Sequence, residues 1–167
     1  MPFSIDAFKS GAIPEGGYRP ALFDVQVTRA GADMNFLCQS SQVPAMTMGV
    51  IEVPYFGRKI KVAGDRTYAE WTTLCMIEED FSVRDKLEQW QEDINGAESN
   101  FRKDVFEGYK KPASVRLYDK QGGVARTYKL ESCWPSDVGA IELDWNTTDT
   151  IGTYTVTWSF DSMLPGS

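Results

Sequence analysis

Apolar and polar side chains alternate with a period of two along most of this chain, and that pattern commits a chain to sheets with one buried face. The clearest case lies near the C-terminus, where Tyr154, Val156, Trp158 and Phe160 alternate with Thr153, Thr155, Thr157 and Ser159. Phe23, Val25 and Val27 alternate with Asp24, Gln26 and Thr28. After a turn at Arg29 to Asp33, Met34, Phe36 and Cys38 alternate with Asn35, Leu37 and Gln39, which predicts a hairpin with one buried face. Pro44 interrupts the pattern, and two more strands are expected at Thr47 to Val53 and Arg58 to Val62, around Pro54-Tyr55-Phe56-Gly57. Gly64-Asp65 is expected to turn the chain into a strand from Tyr68 to Ile77. Ala113 to Tyr118 and Val124 to Trp134 flank Asp119-Lys120-Gln121-Gly122-Gly123, a hairpin connection, and Ile141, Leu143 and Trp145 alternate with Glu142 and Asp144.

Only one segment carries a strong helical period. Val83, Leu87, Trp90 and Ile94 fall on one stripe, with Arg84, Lys86, Glu88, Gln91 and Glu92 expected to face solvent. Ser82 with Asp85 suits an N-terminal cap, Asn95-Gly96 suits a stop, and Glu78-Glu79-Asp80 reads as a solvated helix entrance. The stretch from Gly96 to Gly108 is charged and irregular. Many strands and one helix predict a mainly β fold, a two-sheet β-sandwich or partial barrel with one flanking α-helix. At 42% hydrophobic and 13% aromatic residues the chain can fill one core, and with no repeat or linker it reads as a single domain over 1–167.

Composition narrows the chemistry. With no histidine in the chain, Ser-His and Cys-His nucleophile pairs and His-containing zinc sites are excluded. Cys38, Cys75 and Cys133 lie far apart, form no C-x-x-C pair and read as buried apolar residues in a reducing cytoplasm. Glu142 and Asp144 share a strand face but no pocket signature accompanies them, so no enzyme activity, cofactor or metal is expected. The start of the chain lacks the regions of a signal peptide and no apolar run reaches membrane-span length, so a soluble protein is expected. A net charge of -7 opposes static binding to phosphate backbones.

Several ordered motifs carry a resemblance. Arg19-Pro20 with Leu22-Phe23, then Arg58-Lys59-Ile60-Lys61-Val62-Ala63-Gly64-Asp65-Arg66-Thr67 with Trp71, are followed by Tyr109-Lys110-Lys111, Trp134-Pro135 with Val138-Gly139, Leu143-Asp144-Trp145 and Tyr154-Thr155-Val156-Thr157. Spread from residue 19 to about residue 160, they make the chain similar to the tail tube proteins of contractile-tailed bacteriophages. The resemblance implies a structural virion protein: a two-sheet core with a helix on its flank, closing with its neighbours into a hexameric ring, the rings stacked into the inner tube of the tail, a conduit for DNA ejection. It implies as partners the subunit itself, the tail sheath protein, the baseplate tube initiator, the tape-measure protein and the tail terminator. Duplex DNA would pass through without specific binding. The tube subunit of a type VI-like secretion or extracellular contractile injection system is the nearest alternative, and a monomeric ligand-binding β-barrel or a carboxylate enzyme a more distant one.

Arg58, Lys59 and Lys61 form the densest basic patch, interleaved with Ile60 and Val62, and lack the aromatic platform of a nucleic-acid reader. They are expected to meet an acidic surface of the next ring or of the sheath. Asp65 and Arg66 join them as candidate assembly residues, with a subunit-bridging pair and a local salt bridge both open for Arg66. Trp71, Trp134, Trp145 and Trp158 are expected to fill the sandwich. Residues 1–12, Gln91 to Gly108 and Ser159 to Met163 depart from the family pattern, and the segment of about 1–18 is expected to be flexible.

Overall fold

A computed structural model describes residues 5, 11, 16–31, 34–103 and 108–166. Apart from residues 5, 11 and 16–18, the segment expected to be flexible lies outside the described residues. In chain order the elements are β1 Phe23–Val27, α1 Met34–Leu37, β2 Cys38–Ser41, β3 Met46–Tyr55, β4 Arg58–Tyr68, β5 Trp71–Met76, α2 Ser82–Ile94, β6 Lys111–Tyr118, β7 Val124–Val138, β8 Thr153–Ser159 and β9 Ser162–Gly166.

The long strand β7 organises the body. From Val124 to Cys133 it pairs with β6, which in turn pairs with β1, and its Thr127–Glu131 stretch pairs with β9 on the other edge. From Trp134 to Val138 it pairs instead with β8, followed by β5 and β2. The changeover sits at Ser132, which adopts a left-handed φ of 59° where β7 carries one residue more than β6 between its pairings with Ala113 and Lys111. An extra residue of this kind bends a strand and raises its local twist, so a single bulge lets β7 serve both halves of the sandwich.

Helix α2 packs against β7 and covers the core. Val83, Leu87 and Trp90 are buried as their spacing requires, and Ile94 is half-buried. Trp90 and Trp71 lie on either side of Trp158, with ring centroids 6.0 and 5.5 Å away. Each indole N–H has an acceptor: Trp71 donates to Ser41 Oγ at 2.9 Å, Trp90 to the Tyr109 carbonyl at 2.8 Å and Trp158 to Thr73 Oγ1 at 2.9 Å. Thr73 is buried for that purpose, since a buried indole without an acceptor costs the fold its desolvation. Cys38, Cys75 and Cys133 are buried free thiols, and Cys38 and Cys75 are directly opposed on β2 and β5.

Several expectations need correction. The segments 23–27 and 34–39 do not form a hairpin: β1 pairs with β6, β2 pairs with β5, and Met34–Leu37 is one helical turn. Met34 and Cys38 lie four apart, a spacing that falls on one face in a strand and in a helix alike, so the alternation did not discriminate. Gly64-Asp65 is not a turn but lies inside β4, which runs on to Tyr68. No strand is assigned between Gly139 and Gly152, and there Leu143 is 89% exposed and Trp145 fully exposed, so Trp145 fills no core. Trp134 is half-buried, edge-on to Tyr109. Ser82 does not cap α2. Phe81 occupies that position with a φ of 56°, while Ser82 Oγ donates to Glu78. Arg84, expected in solvent, lies over the Tyr154 ring at 5.0 Å and donates to the Gly139 carbonyl at 3.1 Å.

Candidate assembly interface

Strands β3 and β4 form a two-stranded sheet of their own, an arm outside the sandwich. The turn at its tip, Phe56-Gly57, has positive φ at both residues, 43° and 75°, the handedness that matches the twist of a tight hairpin. Both strands are exposed along nearly their whole length. Ile51, Val53 and Tyr55 stand opposite Val62, Ile60 and Arg58 on one face; Val50, Glu52 and Pro54 stand opposite Ala63, Lys61 and Lys59 on the other. The first face is almost wholly apolar, with Ile51 54% and Tyr55 62% exposed, and Phe56 at the tip is 91% exposed. An isolated two-stranded ribbon is marginal in water, and contiguous exposed apolar surface on a folded subunit marks a contact site.

Near its base the arm carries a bulge. Met48 pairs with Arg66 and Val50 with Ala63, so Gly49 faces the two residues Gly64 and Asp65. A Cβ at either glycine would meet the opposite backbone at 3.2 Å, which is why the strands can approach there only with glycine on both sides. The bulge also reverses the facing of β4, so that Arg66 lies on the same face as Lys59 and Lys61.

The five candidate residues are therefore all on the arm, but they do not form one patch. Lys59, Lys61 and Arg66 share a face with Glu52, which Lys59 Nζ reaches at 2.6 Å. Arg58 lies on the apolar face beside the tip, and Asp65 sits exposed in the bulge. What sequence reasoning missed is the apolar face itself. The signal was present in Ile51, Val53, Ile60 and Val62, which were read as strand formers without a core to enter.

A second exposed feature lies elsewhere on the subunit. The segment 139–152 leaves β7 where the Gly139 N–H donates to the Thr155 carbonyl and rejoins at β8. Under it is an open groove of about 700 Å3, walled by Leu143, Trp145, Ile151, Glu142 and Asp144. Among the described residues no helix is long and apolar enough to cross a membrane.

Comparison with known proteins places this architecture. Residues 13–164 match the model of the family described as phage tail tube protein. Tail tube protein gp19 of Enterobacteria phage T4 is 35% identical over 156 residues, covering 93% of each chain. Among solved structures, a chain of an extracellular contractile injection system, the PVC sheath-tube complex in its extended state, has the same fold with a TM-score of 0.66 at 17% identity, covering 99% of both chains. A chain of the PVC sheath/tube terminator has a TM-score of 0.69, also at 17% identity, covering 90% of this chain and 97% of that one. The fold alone is thus shared by tube and terminator components, and the sequence decides between them: this chain belongs to the phage tail tube protein family.

Proposed function

We propose that the chain is a structural virion protein forming the inner tube of a contractile phage tail, assembled as hexameric rings stacked into a conduit for DNA ejection. The observation that carries this reading, beside the family, is the bare β3–β4 arm: two strands whose apolar residues have no core of their own in the subunit. Six arms set side by side would give each ribbon neighbours, bury its apolar face and cover open strand edges that otherwise invite uncontrolled pairing. Arg58, Lys59, Lys61, Asp65 and Arg66 would then lie at contacts between subunits or against the sheath.

The partners that follow are further copies of the subunit, the tail sheath protein, the baseplate tube initiator, the tape-measure protein and the tail terminator. The role is mechanical rather than enzymatic, and DNA passes through an acidic or neutral lumen without binding. A tube subunit of a type VI-like or extracellular injection system would share this fold, but 35% identity to a phage tail tube protein over nearly the whole of both chains favours the phage tail. Negative-stain microscopy of the purified protein tests the reading. Six-fold rings or tubes are expected, and a protein that stays monomeric across protein and salt concentrations would overturn it.

A further inference from the structure

We infer that the basic, aromatic tip of the β3–β4 arm docks into the acidic groove under the 139–152 segment of another copy of the chain. The inference rests on the tube reading and names the surface that receives the arm. It starts from the distribution of charge. Beyond Lys129 the sequence contains no Lys or Arg but six carboxylates: Glu131, Asp137, Glu142, Asp144, Asp149 and Asp161. That segment carries -6 of a net charge of -7. The arm tip has the opposite balance, with Arg58, Lys59 and Lys61 against Glu52. Only Lys59 has its charge paired within the subunit; Arg58 and Lys61 have no ion-pair partner among the described residues.

The apolar parts match as well. At the tip, Phe56 is 91% exposed and packs edge-on to Tyr55 with ring centroids 4.7 Å apart. At the groove, Trp145 is fully exposed and Leu143 and Ile151 are 89% and 68% exposed. No arm residue lines the groove, so the subunit does not fill it with its own arm. A cleft of this volume accommodates a pair of aromatic side chains, and aromatic anchors ringed by complementary charge are the usual centres of binding energy.

The geometry of such a contact has a consequence for assembly. Tip and groove are different surfaces, so each copy donates one and accepts one. A heterologous contact of that kind propagates into rings or stacks, whereas a self-complementary patch would stop at a dimer. Copies that repel overall through their net charge are thereby attracted in one orientation only.

Charge reversal tests the pairing. Lys59→Glu with Lys61→Glu should abolish sedimentable polymer, and so should Glu142→Lys with Asp144→Lys. All four residues are exposed, so each variant should keep the wild-type melting temperature and circular dichroism. Mixing the two variants one to one, or combining all four substitutions in one chain, should restore polymer, because every contact then again joins opposite charges. Separately, Trp145→Phe should remove part of the blue shift in tryptophan emission that accompanies assembly. Wild-type tubes together with unimpaired polymerisation of either reversed variant would overturn the docking while leaving the tube reading intact. So would loss in both variants without restoration on mixing, or variants that polymerise normally but fail to bind sheath. A wild type that forms neither rings nor tubes would overturn the tube reading itself.

Discussion

Tyr154 is 3% exposed, its hydroxyl has no hydrogen-bond partner among the described residues, and the Arg84 guanidinium lies over its ring. Burial pushes this phenol above its ordinary value, and burial likewise pushes the Cys133 thiol up. For both groups the folded state holds the proton more tightly than the unfolded state does. Their contribution to stability is therefore complete below the ordinary values, about 8.5 for a thiol and about 10 for a phenol, and is lost as pH rises beyond them. With no histidine in the chain, no imidazole adds a step near neutrality. The melting temperature is expected to hold from about pH 7 to pH 8.5 and then to fall, and scanning calorimetry through pH 11 would measure it. Tyr154→Phe removes the unpartnered hydroxyl, so it should melt at or above the wild-type temperature at pH 7 and lose less above about pH 10. A variant that melts well below wild type at pH 7 would mean that the hydroxyl has a partner after all.

Among the elements, α2 gives the most direct test of packing. Leu87 is completely buried in it, between Val83 and Trp90, and Leu87→Ala should destabilise the subunit by about 2 to 5 kcal/mol in urea unfolding. Wild-type stability in that variant would mean the stripe does not seal the core. The stripe was legible because four apolar residues at helical spacing admit one reading. β8 was legible for the same reason, with Tyr154, Val156 and Trp158 all buried in register. Shorter patterns were ambiguous: Met34 and Cys38 suit a helical turn as well as a strand. Gly64-Asp65 has the composition of a turn, and only the register of β3 shows it to be a bulge. Alternation at Ile141, Leu143 and Trp145 was real, but the apolar side chains at Leu143 and Trp145 face outward. The candidate residues at 58–66 were recognisable as exposed and basic. Their division between two faces was not, because it depends on pairing across the arm.

For the whole molecule, two electrostatic effects of different range act on assembly. Each subunit carries -7, and at low ionic strength this net charge repels approaching copies over a screening length of roughly 30 Å at 0.01 M. At about 0.15 M that length falls to about 8 Å, so the repulsion fades before two subunits meet. Attraction between the arm tip and its acidic receptor acts at contact distance and is weakened only as the length nears about 3 Å at 1 M. Polymerisation followed by light scattering should therefore speed up between about 0.01 and 0.15 M salt, and finished tubes should loosen toward about 1 M. A rate that falls steadily over the lower range would show that attraction already dominates at long distance. The same charge governs the cargo. Preformed tubes mixed with duplex DNA at physiological salt should give no gel shift, since a conduit that held phosphates would stall the strand it conducts. Tight binding that weakens steeply with salt would reveal a basic track in the lumen, because release of counterions from the phosphates is what gives such binding its salt dependence. The arm lysines would then face the DNA rather than a neighbouring subunit.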